Sequence, residues 1–286
     1  MMETRRRLQA DIPALRRKYP EQMRGNSYAR VVAIATVLSA SALALFAMIR
    51  FDFSFARLGR GLEQLGTFLS LMVPPSAGNQ LDTFLWSLVE TLSIAFLGTF
   101  VAALLAFPLG FLAARNVLPN VIARFLVRRS MDTIRGVDTL IWALVWINVV
   151  GLGPFAGVLA IATSDIGALG KLFSEAIENA DRKASEGVTA SGASPVERIR
   201  FGIIPEVLPV MASQVLYFIE SNTRSATIIG IVGAGGIGLH LAENIRIQEW
   251  DKVAFLVLLV LVAVSVIDLI SSRLRFAMIG TARAPV

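Results

Sequence analysis

Long apolar stretches alternate with polar, mostly basic segments along the chain. The five stretches cover residues 31–49, 84–112, 139–163, 207–231 and 253–269. Each run is continuously apolar, whereas the strands of a membrane barrel alternate between apolar and polar positions. A helix of about 20 residues crosses the hydrocarbon core of a bilayer. The pattern therefore predicts a bundle of membrane-spanning α-helices.

The composition supports this prediction. Hydrophobic residues make up 55% of the chain and charged residues only 17%, with a mean hydropathy of +0.66, whereas about 25% of residues are charged in soluble domains. We therefore expect an all-α, polytopic membrane protein. The chain has no cysteine, which excludes disulfides and thiolate metal sites. Its net charge of +6 comes largely from basic residues beside the apolar runs, so it indicates membrane topology and not nucleic-acid binding.

The number of spans depends on how residues 139–163 are interpreted. They form either one span broken at "GLGP" (151–154) or the outer halves of two helices that meet at a turn there. In the second case the inner halves are the more polar segments 123–138 and 164–181. Six spans place both termini and most lysines and arginines in the cytoplasm, whereas five spans move the basic loop at 186–209 and the C-terminal tail outside. Six transmembrane helices are therefore favoured.

The predicted topology divides the chain into four segments. These are a basic cytoplasmic N-terminal segment at 1–30, a first transmembrane helix with a periplasmic connection at 31–83, a core domain at 84–270 and a cytoplasmic tail at 271–286. The run at 31–49 is predicted to be an uncleaved span, because its basic leader and its apolar core are longer than those of a signal peptide. An amphipathic piece that ends at Pro74 and Pro75 is expected along the outer surface.

The largest predicted cytoplasmic loop, residues 181–206, has its own helix signals. Ser194, Pro195 and Glu197 have the spacing of a capping box with proline at the first helical position. Gly192 suits the left-handed position after a helix that ends near Ala190. The loop is therefore predicted to be two short helices joined by a glycine bend. From this pattern alone, a coupling role and a merely structural connection remain equally open.

The same loop resembles the "EAA…G…I-LP" loop in the permease subunits of bacterial ABC importers. The resemblance rests on Glu186, Gly192, Ile204 and Pro205; Gly187 and Val188 replace the two alanines, and Gly202 replaces the usual isoleucine. It implies that the loop docks into a cleft of a cytoplasmic ATPase subunit and transmits its closure to the membrane helices. The expected coupling residues are Glu186, Gly192, Ser194, Pro195, Glu197, Arg198 and Pro205.

The resemblance extends over residues 84–270. The segments at 106–120, 150–160, 170–178, 200–209 and 224–238 together resemble a phosphonate-import permease. This implies a type I ABC importer permease fold in the bacterial cytoplasmic (inner) membrane, and import of a phosphonate or a related phosphorus oxyanion such as phosphite or a phosphate ester. The implied partners are a dimer of ATPase subunits, a periplasmic phosphonate-binding protein and a second permease chain, identical or different. The chain itself would be no enzyme and hold no cofactor, since the ATPase would bind ATP and Mg.

Polar groups inside the spans are the candidates for a translocation pathway, because a charge buried in lipid is costly. The candidates are Glu220, Asn222, Arg224 and Ser225. Arg224 could contact an oxyanion through its planar guanidinium, or pair with Glu220 one turn earlier as a structural ion pair. Both alternatives stay open. Weaker candidates, interpreted as helix-end or interhelical partners, are Glu90, Asp138 and Asp165.

Two other motifs fail on context. Gly233, Gly235 and Gly238 have the G-x-G-x-x-G spacing, but they follow a membrane span and not a strand, so they are predicted to form a tight outer turn near the binding-protein docking surface. Lys171 lacks the glycines of a P-loop. His240 is the sole histidine and is expected to be an interfacial polar residue and not a metal ligand.

Two other functional classes compete with the importer hypothesis. An ion-gradient-driven secondary transporter or channel for small anions would predict inverted repeats, and no convincing repeat is visible. A membrane enzyme acting on phosphorylated lipid would need clustered nucleophile machinery, which one histidine does not readily supply.

Overall fold

The computed structural model describes residues 27–280, and every regular element in that range is helical. The remaining residues, which include most of the predicted basic segment at 1–30 and the end of the predicted tail, lie outside the described part. In chain order the helices are α1 (Ser27–Arg50), α2 (Phe55–Leu71), α3 (Leu81–Ala113), α4 (Val121–Arg135), α5 (Thr139–Val150), α6 (Pro154–Glu178), α7 (Arg182–Ala190), α8 (Pro195–Glu197), a π-helical turn (Arg198–Ile203), α9 (Ile204–Ile231), α10 (Ile237–Arg246) and α11 (Trp250–Gly280).

The chain forms two compact units, which divide after Thr67. The first unit contains α1 and most of α2. Helix α1 is apolar along its length, and nearly all its described side chains are exposed, as expected for a span that faces lipid. Helix α2 is amphipathic, which agrees with the sequence pattern. The second unit begins at Phe68 and contains α3 to α11.

Within residues 27–280, five helical runs are long and apolar enough to cross a membrane, and a sixth span results if α4 and α5 are counted together. These two helices meet at an angle of 87°. The break follows from residues 136–138, because Asp138 caps a new helix by accepting from the Leu140 amide at 2.8 Å. The "GLGP" segment is a turn between two helices, since α6 begins at Pro154 and both glycines before it have positive φ. The interpretation of 139–163 as parts of two helices is therefore confirmed, and 164–178 continues the second of them as α6, but the prediction that 123–138 continues the first was wrong, because α4 is bent away from α5.

Helix α6 lies at the centre of the second unit and packs along α3. The contact depends on small residues, because a Cβ at Gly98 would lie 2.8 Å from Ile161 and one at Gly110 would lie 2.7 Å from Phe173. Ala102, Ala106 and Ala160 are fully buried in the same layer. Small residues let helices approach closely in lipid, where apolar burial alone gives little drive to associate. Helices α4, α5 and α9 pack around this pair.

The helical run that was predicted at 207–231 begins earlier, at Pro195. The second short helix of the loop is therefore not separate, but continues through the π-helical turn into α9. The Ile204 amide donates to the Ile199 carbonyl, five residues back, and Pro205 has no amide hydrogen to donate. A proline at this place thus favours a widened turn over a regular α-helical one.

The last helix also extends beyond its predicted end at residue 269, to Gly280. Its final turns keep contact with the bundle. Ser271 is buried, and the Arg275 guanidinium lies 3.3 Å from the Glu220 carboxylate on α9. This interhelical pair explains why the helix continues through a segment that the sequence pattern had assigned to the tail.

The α3–α6 contact generates a stability prediction. Replacing Gly98 with valine should place the new side chain against Ile161 and destabilise the protein by about 1–3 kcal/mol, which is the usual cost of overpacking. The measurement is the melting temperature of the purified protein in detergent. Gly61→Ala is the matched control, because no atom lies within 4 Å of a Cβ at that position. An unchanged melting temperature for Gly98→Val would contradict the close contact.

Candidate functional site

The loop between α6 and α9 has the predicted first helix, glycine bend and second helix start. Helix α7 ends at Ala190, and Gly192 follows with φ +84°, a left-handed conformation that glycine adopts without strain. The Glu197 amide donates to the Ser194 hydroxyl at 3.4 Å, and the Ser194 amide donates to the Glu197 carboxylate at 2.7 Å. The capping box, the helix start at Pro195 and the glycine bend are therefore confirmed as structural features.

The loop is anchored to the ends of the spanning helices. The Glu178 carboxylate, at the end of α6, accepts from the Arg115 amide at 2.7 Å and from the Arg128 guanidinium at 2.6 Å. The Asn116 side chain donates to the Ile177 carbonyl at 2.8 Å, and Arg198 donates to the Asn116 carbonyl at 3.2 Å. The turn after α3, the end of α6 and the π-helical turn are thus joined by one chain of hydrogen bonds.

Two further contacts fix the loop from its other side. The Asp181 amide donates to the Glu206 carboxylate on α9. Gly202 packs directly against α7, because a Cβ there would lie 2.8 Å from the Cα of Ser185. The glycine at the position where the resembling loop has isoleucine is thus explained by this close approach.

A cleft of about 710 Å³ lies between α7, the π-helical turn and the turn after α3. Glu186 and Arg198 line it, together with Arg115 and Arg182. Glu186 is exposed and makes no ion pair within residues 27–280. Pro205 is exposed at the start of α9. Of the predicted coupling residues, Glu186 and Arg198 therefore lie together at this cleft, which combines an open acidic side chain with arginines.

The polar residues of α9 separate into two groups. Glu220 is 8% exposed, and each of its carboxylate oxygens lies 3.3 Å from a guanidinium, one from Arg224 on the same helix and one from Arg275 on α11. Asp268 lies 3.9 Å from Arg275, at the edge of this group. The Arg224 side chain stays 49% exposed. The pairing of Arg224 with Glu220 is thus present, and it leaves the guanidinium accessible.

Asn222 belongs to the second group and faces inward. Its amide donates to the Thr99 hydroxyl at 2.8 Å and to the Asp165 carboxylate, so one side chain joins α9, α3 and α6. Asn222 is 5% exposed, and this conformation gives a solute no access to it. The prediction that it offers a hydrogen bond to the pathway is corrected for this conformation, because both partners lie within the bundle. Ser225 is half-buried, and its hydroxyl lies 3.5 Å from the Ser221 carbonyl.

The outer turns are held by α3. The Glu90 carboxylate accepts from the Gly236 amide at 2.9 Å, and the Thr91 hydroxyl accepts from the Ile237 amide at 2.8 Å. These side chains satisfy the free amides at the start of α10, a helix whose own N-cap residue is a glycine. The Gly153 amide donates to the Gly233 carbonyl at 3.0 Å, which joins the two glycine turns. The predicted tight turn at 233–238 is confirmed.

Comparison with known proteins identifies the architecture. Residues 106–279 match the family described as the inner membrane component of binding-protein-dependent transport systems. The chain belongs to this family. It is accordingly a multi-pass protein of the cytoplasmic membrane, with the fold of an ABC importer permease.

Several relatives of this permease are named for the transport of phosphorus compounds. It is 43% identical to a putative phosphite transport system permease protein of Stutzerimonas stutzeri, over 80% of this chain and 81% of the relative. It is 32% identical to a phosphate-import permease protein of Mycolicibacterium smegmatis, over 87% of this chain and 45% of the relative. A putative cryptic phosphonate transport permease protein of Escherichia coli K12 is 45% identical over 41% of this chain and 97% of its own length.

Solved structures support the fold alone. An inward-facing structure of the MetNI methionine ABC transporter matches with a TM-score of 0.62 and 20% identity, over 71% of this permease and 99% of that chain. A second crystal form of the same transporter matches with a TM-score of 0.63. The predicted type I importer fold is confirmed by these likenesses.

The weaker sequence candidates of the permease also have structural roles. Asp138 caps a helix, Glu90 holds an outer turn, and Asp165 binds Asn222 across helices, which confirms their interpretation as helix-end or interhelical partners. His240 lies 3.3 Å from Glu243 on α10, and no group of metal-ligand residues occurs in the described part of the permease. Arg275 was missed, because its segment had been assigned to the cytoplasmic tail.

The Asn222 junction generates a second stability prediction. Asn222→Ala should leave the buried Asp165 carboxylate without its donor, at a cost of about 1–3 kcal/mol. The measurement is the melting temperature of the purified permease, with Ser225→Ala as the control on the same helix. Because the two residues share one interaction, the double variant Asn222→Ala with Asp165→Ala should be destabilised by less than the sum of the two single effects. Strictly additive effects would contradict the junction.

Proposed function

We propose that this permease carries a phosphorus oxyanion into the cytoplasm, driven by a separate ATPase that grips the loop at 181–206. The observation that carries the proposal is the anchored loop, in a chain whose relatives are named for phosphite, phosphate and phosphonate transport. These ligands share a tetrahedral phosphorus with charged oxygens, so the substrate class is defined by that chemistry. ATP and Mg are expected to bind to the ATPase subunits.

The coupling step follows from how the loop is held. A force on α7 reaches α9 through Gly202 and Glu206, and it reaches the ends of α3 and α6 through Arg198, Asn116 and Glu178. The free carboxylate of Glu186 and the arginines of the cleft offer charged contacts to the ATPase. A loop without these connections would bend locally, whereas this loop passes its displacement to three helices.

The pathway is assigned to the exposed side of α9. Tyr217, Ser221, Arg224, Ile228 and Ile231 recur at helical spacing on one face. Arg224 and Ser221 would be costly on a surface covered by lipid. A second permease chain facing this surface would enclose the polar side chains and form the path between the two copies. Its identity, the same chain or a different one, decides between a homodimer and a heterodimer.

Arg224 is the proposed oxyanion contact. Glu220 is shared by two guanidiniums, and Arg275 has a second acid, Asp268, at 3.9 Å, so Arg224 is the cation of this group that stays available to an anion. The two guanidiniums lie at the same distance of 3.3 Å from Glu220, but the Arg224 side chain is 49% exposed and the Arg275 side chain only 23%. A single shared cation attracts an anion and still lets it leave, which a transport path requires. The periplasmic binding protein would supply much of the selectivity, docking at the outer glycine turns.

An ion-gradient-driven transporter for small anions remains the alternative, and it is distinguished by its energy source. The permease is co-reconstituted with its ATPase and binding protein in liposomes loaded with ATP and Mg. Import of labelled phosphite, aminoethylphosphonate or phosphate should require ATP and the loaded binding protein. Uptake driven by an ion gradient without any ATPase would overturn the importer proposal.

The coupling loop is tested in the same liposomes with Gly192→Pro. Proline requires φ near −65°, whereas Gly192 has φ +84° and donates its amide to the Thr189 carbonyl. ATP-driven uptake should fall about tenfold or more in a correctly inserted protein, since a misplaced loop loses several bonded contacts. Gly187→Ala is the matched control, because a Cβ there meets no atom within 4 Å. Unchanged uptake with Gly192→Pro would refute the coupling assignment.

The anion contact is tested with Arg224→Gln and Arg224→Lys. The glutamine variant should reduce uptake about tenfold or more, and the lysine variant should retain part of it, because lysine keeps the charge but loses the planar fork. Arg275→Gln is the matched control, since it removes the other guanidinium from Glu220 and should mainly lower the melting temperature. Normal uptake by Arg224→Gln, with only stability reduced, would mean that the pair is structural.

A further inference from the structure

Helix α4 exposes an apolar face in its first two turns. Val121, Ile122, Phe125 and Leu126 are between 55% and 73% exposed. Ile122 and Leu126 lie on the side of the helix away from Met131, which is buried and packs against Gly167 and Gly170 of α6, whereas Phe125 lies at the edge of that contact and lines a small cleft with Met131 and Lys171. The helix therefore has one face on the bundle and a second apolar face with no neighbour in the described part of its unit.

The position of Arg128 gives the depth of this face. Its Nε donates to the Ala113 carbonyl at 2.9 Å, and its guanidinium donates to Glu178 at 2.6 Å. Ala113 ends α3 and Glu178 ends α6, two spans of 33 and 25 residues. The second turn of α4 is therefore level with the ends of two spanning helices. This is their cytoplasmic end if the loop at 181–206 is cytoplasmic, as the proposed function holds.

Helix α4 carries a strong excess of positive charge. The helix contains a single acid, Asp132, and four arginines, which are Arg124, Arg128, Arg129 and Arg135. Asp132 is shared by Arg129 at 3.4 Å and Lys171 at 3.9 Å. Arg124 and Arg135 have no ion-pair partner among residues 27–280. Cationic charge is thus left over beside the apolar face.

One contact joins the positive charge of α4 to its exposed apolar face. The Arg129 guanidinium lies 5.3 Å from the centre of the Phe125 ring, and its side chain is 66% exposed. A basic helix with an exposed aromatic and aliphatic face is typical of helices that lie in the membrane interface. Clustered arginines at the cytoplasmic surface attract anionic headgroups.

We propose that the first half of α4 binds anionic phospholipid of the cytoplasmic leaflet. Ile122, Phe125 and Leu126 lie at the boundary of the acyl chains, and Arg124 and Arg129 contact the headgroup phosphates. Charge complementarity and depth favour lipid over a second protein chain. The same helix bonds through Arg128 to Glu178, which is three residues before the coupling loop begins at 181. Bound lipid therefore holds α4 in place, and with it the Arg128–Glu178 contact beside that loop.

The absence of cysteine from the chain permits a direct test. Ile122→Cys, labelled with an environment-sensitive fluorophore, is placed in nanodiscs that contain brominated lipid, which quenches fluorescence on contact. Leu104→Cys on the exposed side of α3 is the control for lipid contact, and Ser191→Cys after α7 is the control for water contact. The label at 122 should be quenched as at 104. Brominated anionic lipid should quench it about twice as strongly as brominated zwitterionic lipid at equal mole fraction.

The arginines are tested in the same labelled protein. Arg124→Gln with Arg129→Gln should abolish the preference for anionic lipid, whereas Arg246→Gln, at the end of α10, should leave it unchanged. Raising the salt concentration should weaken the preference, because ions screen exposed charges. A label at 122 that stays unquenched in every bilayer would overturn the proposal. Equal quenching by both lipids would refute the anionic preference.

The remaining outcome concerns a protein partner. The fluorescence is measured again after the ATPase subunits bind to the labelled permease in the nanodisc. Quenching should persist, because lipid and not protein covers this face. Loss of quenching would assign α4 to the ATPase interface and overturn the lipid proposal. Since the readout is lipid contact and not transport, it can fail while the transport function stands, and the reverse also holds.

Discussion

The close approach of α3 to α6 is the contact on which the second unit depends. Lipid offers little hydrophobic drive for helix association, so these helices depend on surfaces that fit at van der Waals distance. Gly98 and Gly110 bring the backbones together along more than three turns, against Ile161 and Phe173. At one end of this pair, Glu90 and Thr91 hold the glycine turns. At the other end, the Glu178 carboxylate accepts hydrogen bonds from Arg115 and Arg128, which anchor the loop at 181–206.

Buried polar groups in this permease are satisfied across helices. Asn222 links three helices through one amide, and Glu220 takes one guanidinium from its own helix and one from α11. Unpaired polar groups in lipid would be costly, so such pairs specify which helices must be neighbours. They also leave Arg224 as the cation that stays half-exposed on α9. Structural pairing and an accessible charge are thus compatible in one cluster.

The sequence predicted features that depend on neighbouring residues. The capping box, the bend at Gly192 and the turn at 151–154 rest on local rules, and all are present. Contacts between distant residues could not be predicted in this way. Arg275 and Glu220 are 55 positions apart, and Asn222 and Asp165 are 57 positions apart, so no periodicity connects them. The 87° bend between α4 and α5 escaped because a span count treats helix segments as straight.

The π-helical turn at Arg198–Ile203 has a rotational consequence. A π turn holds about one residue more than an α-helical turn, and each residue of an α-helix corresponds to a rotation of roughly 100°. The capping box and α9 therefore belong to one continuous helical run, yet their side-chain faces are out of step by about that angle. The capped start of this run and the face of α9 that carries Arg224 are thus set at a fixed angle to each other about one helix axis.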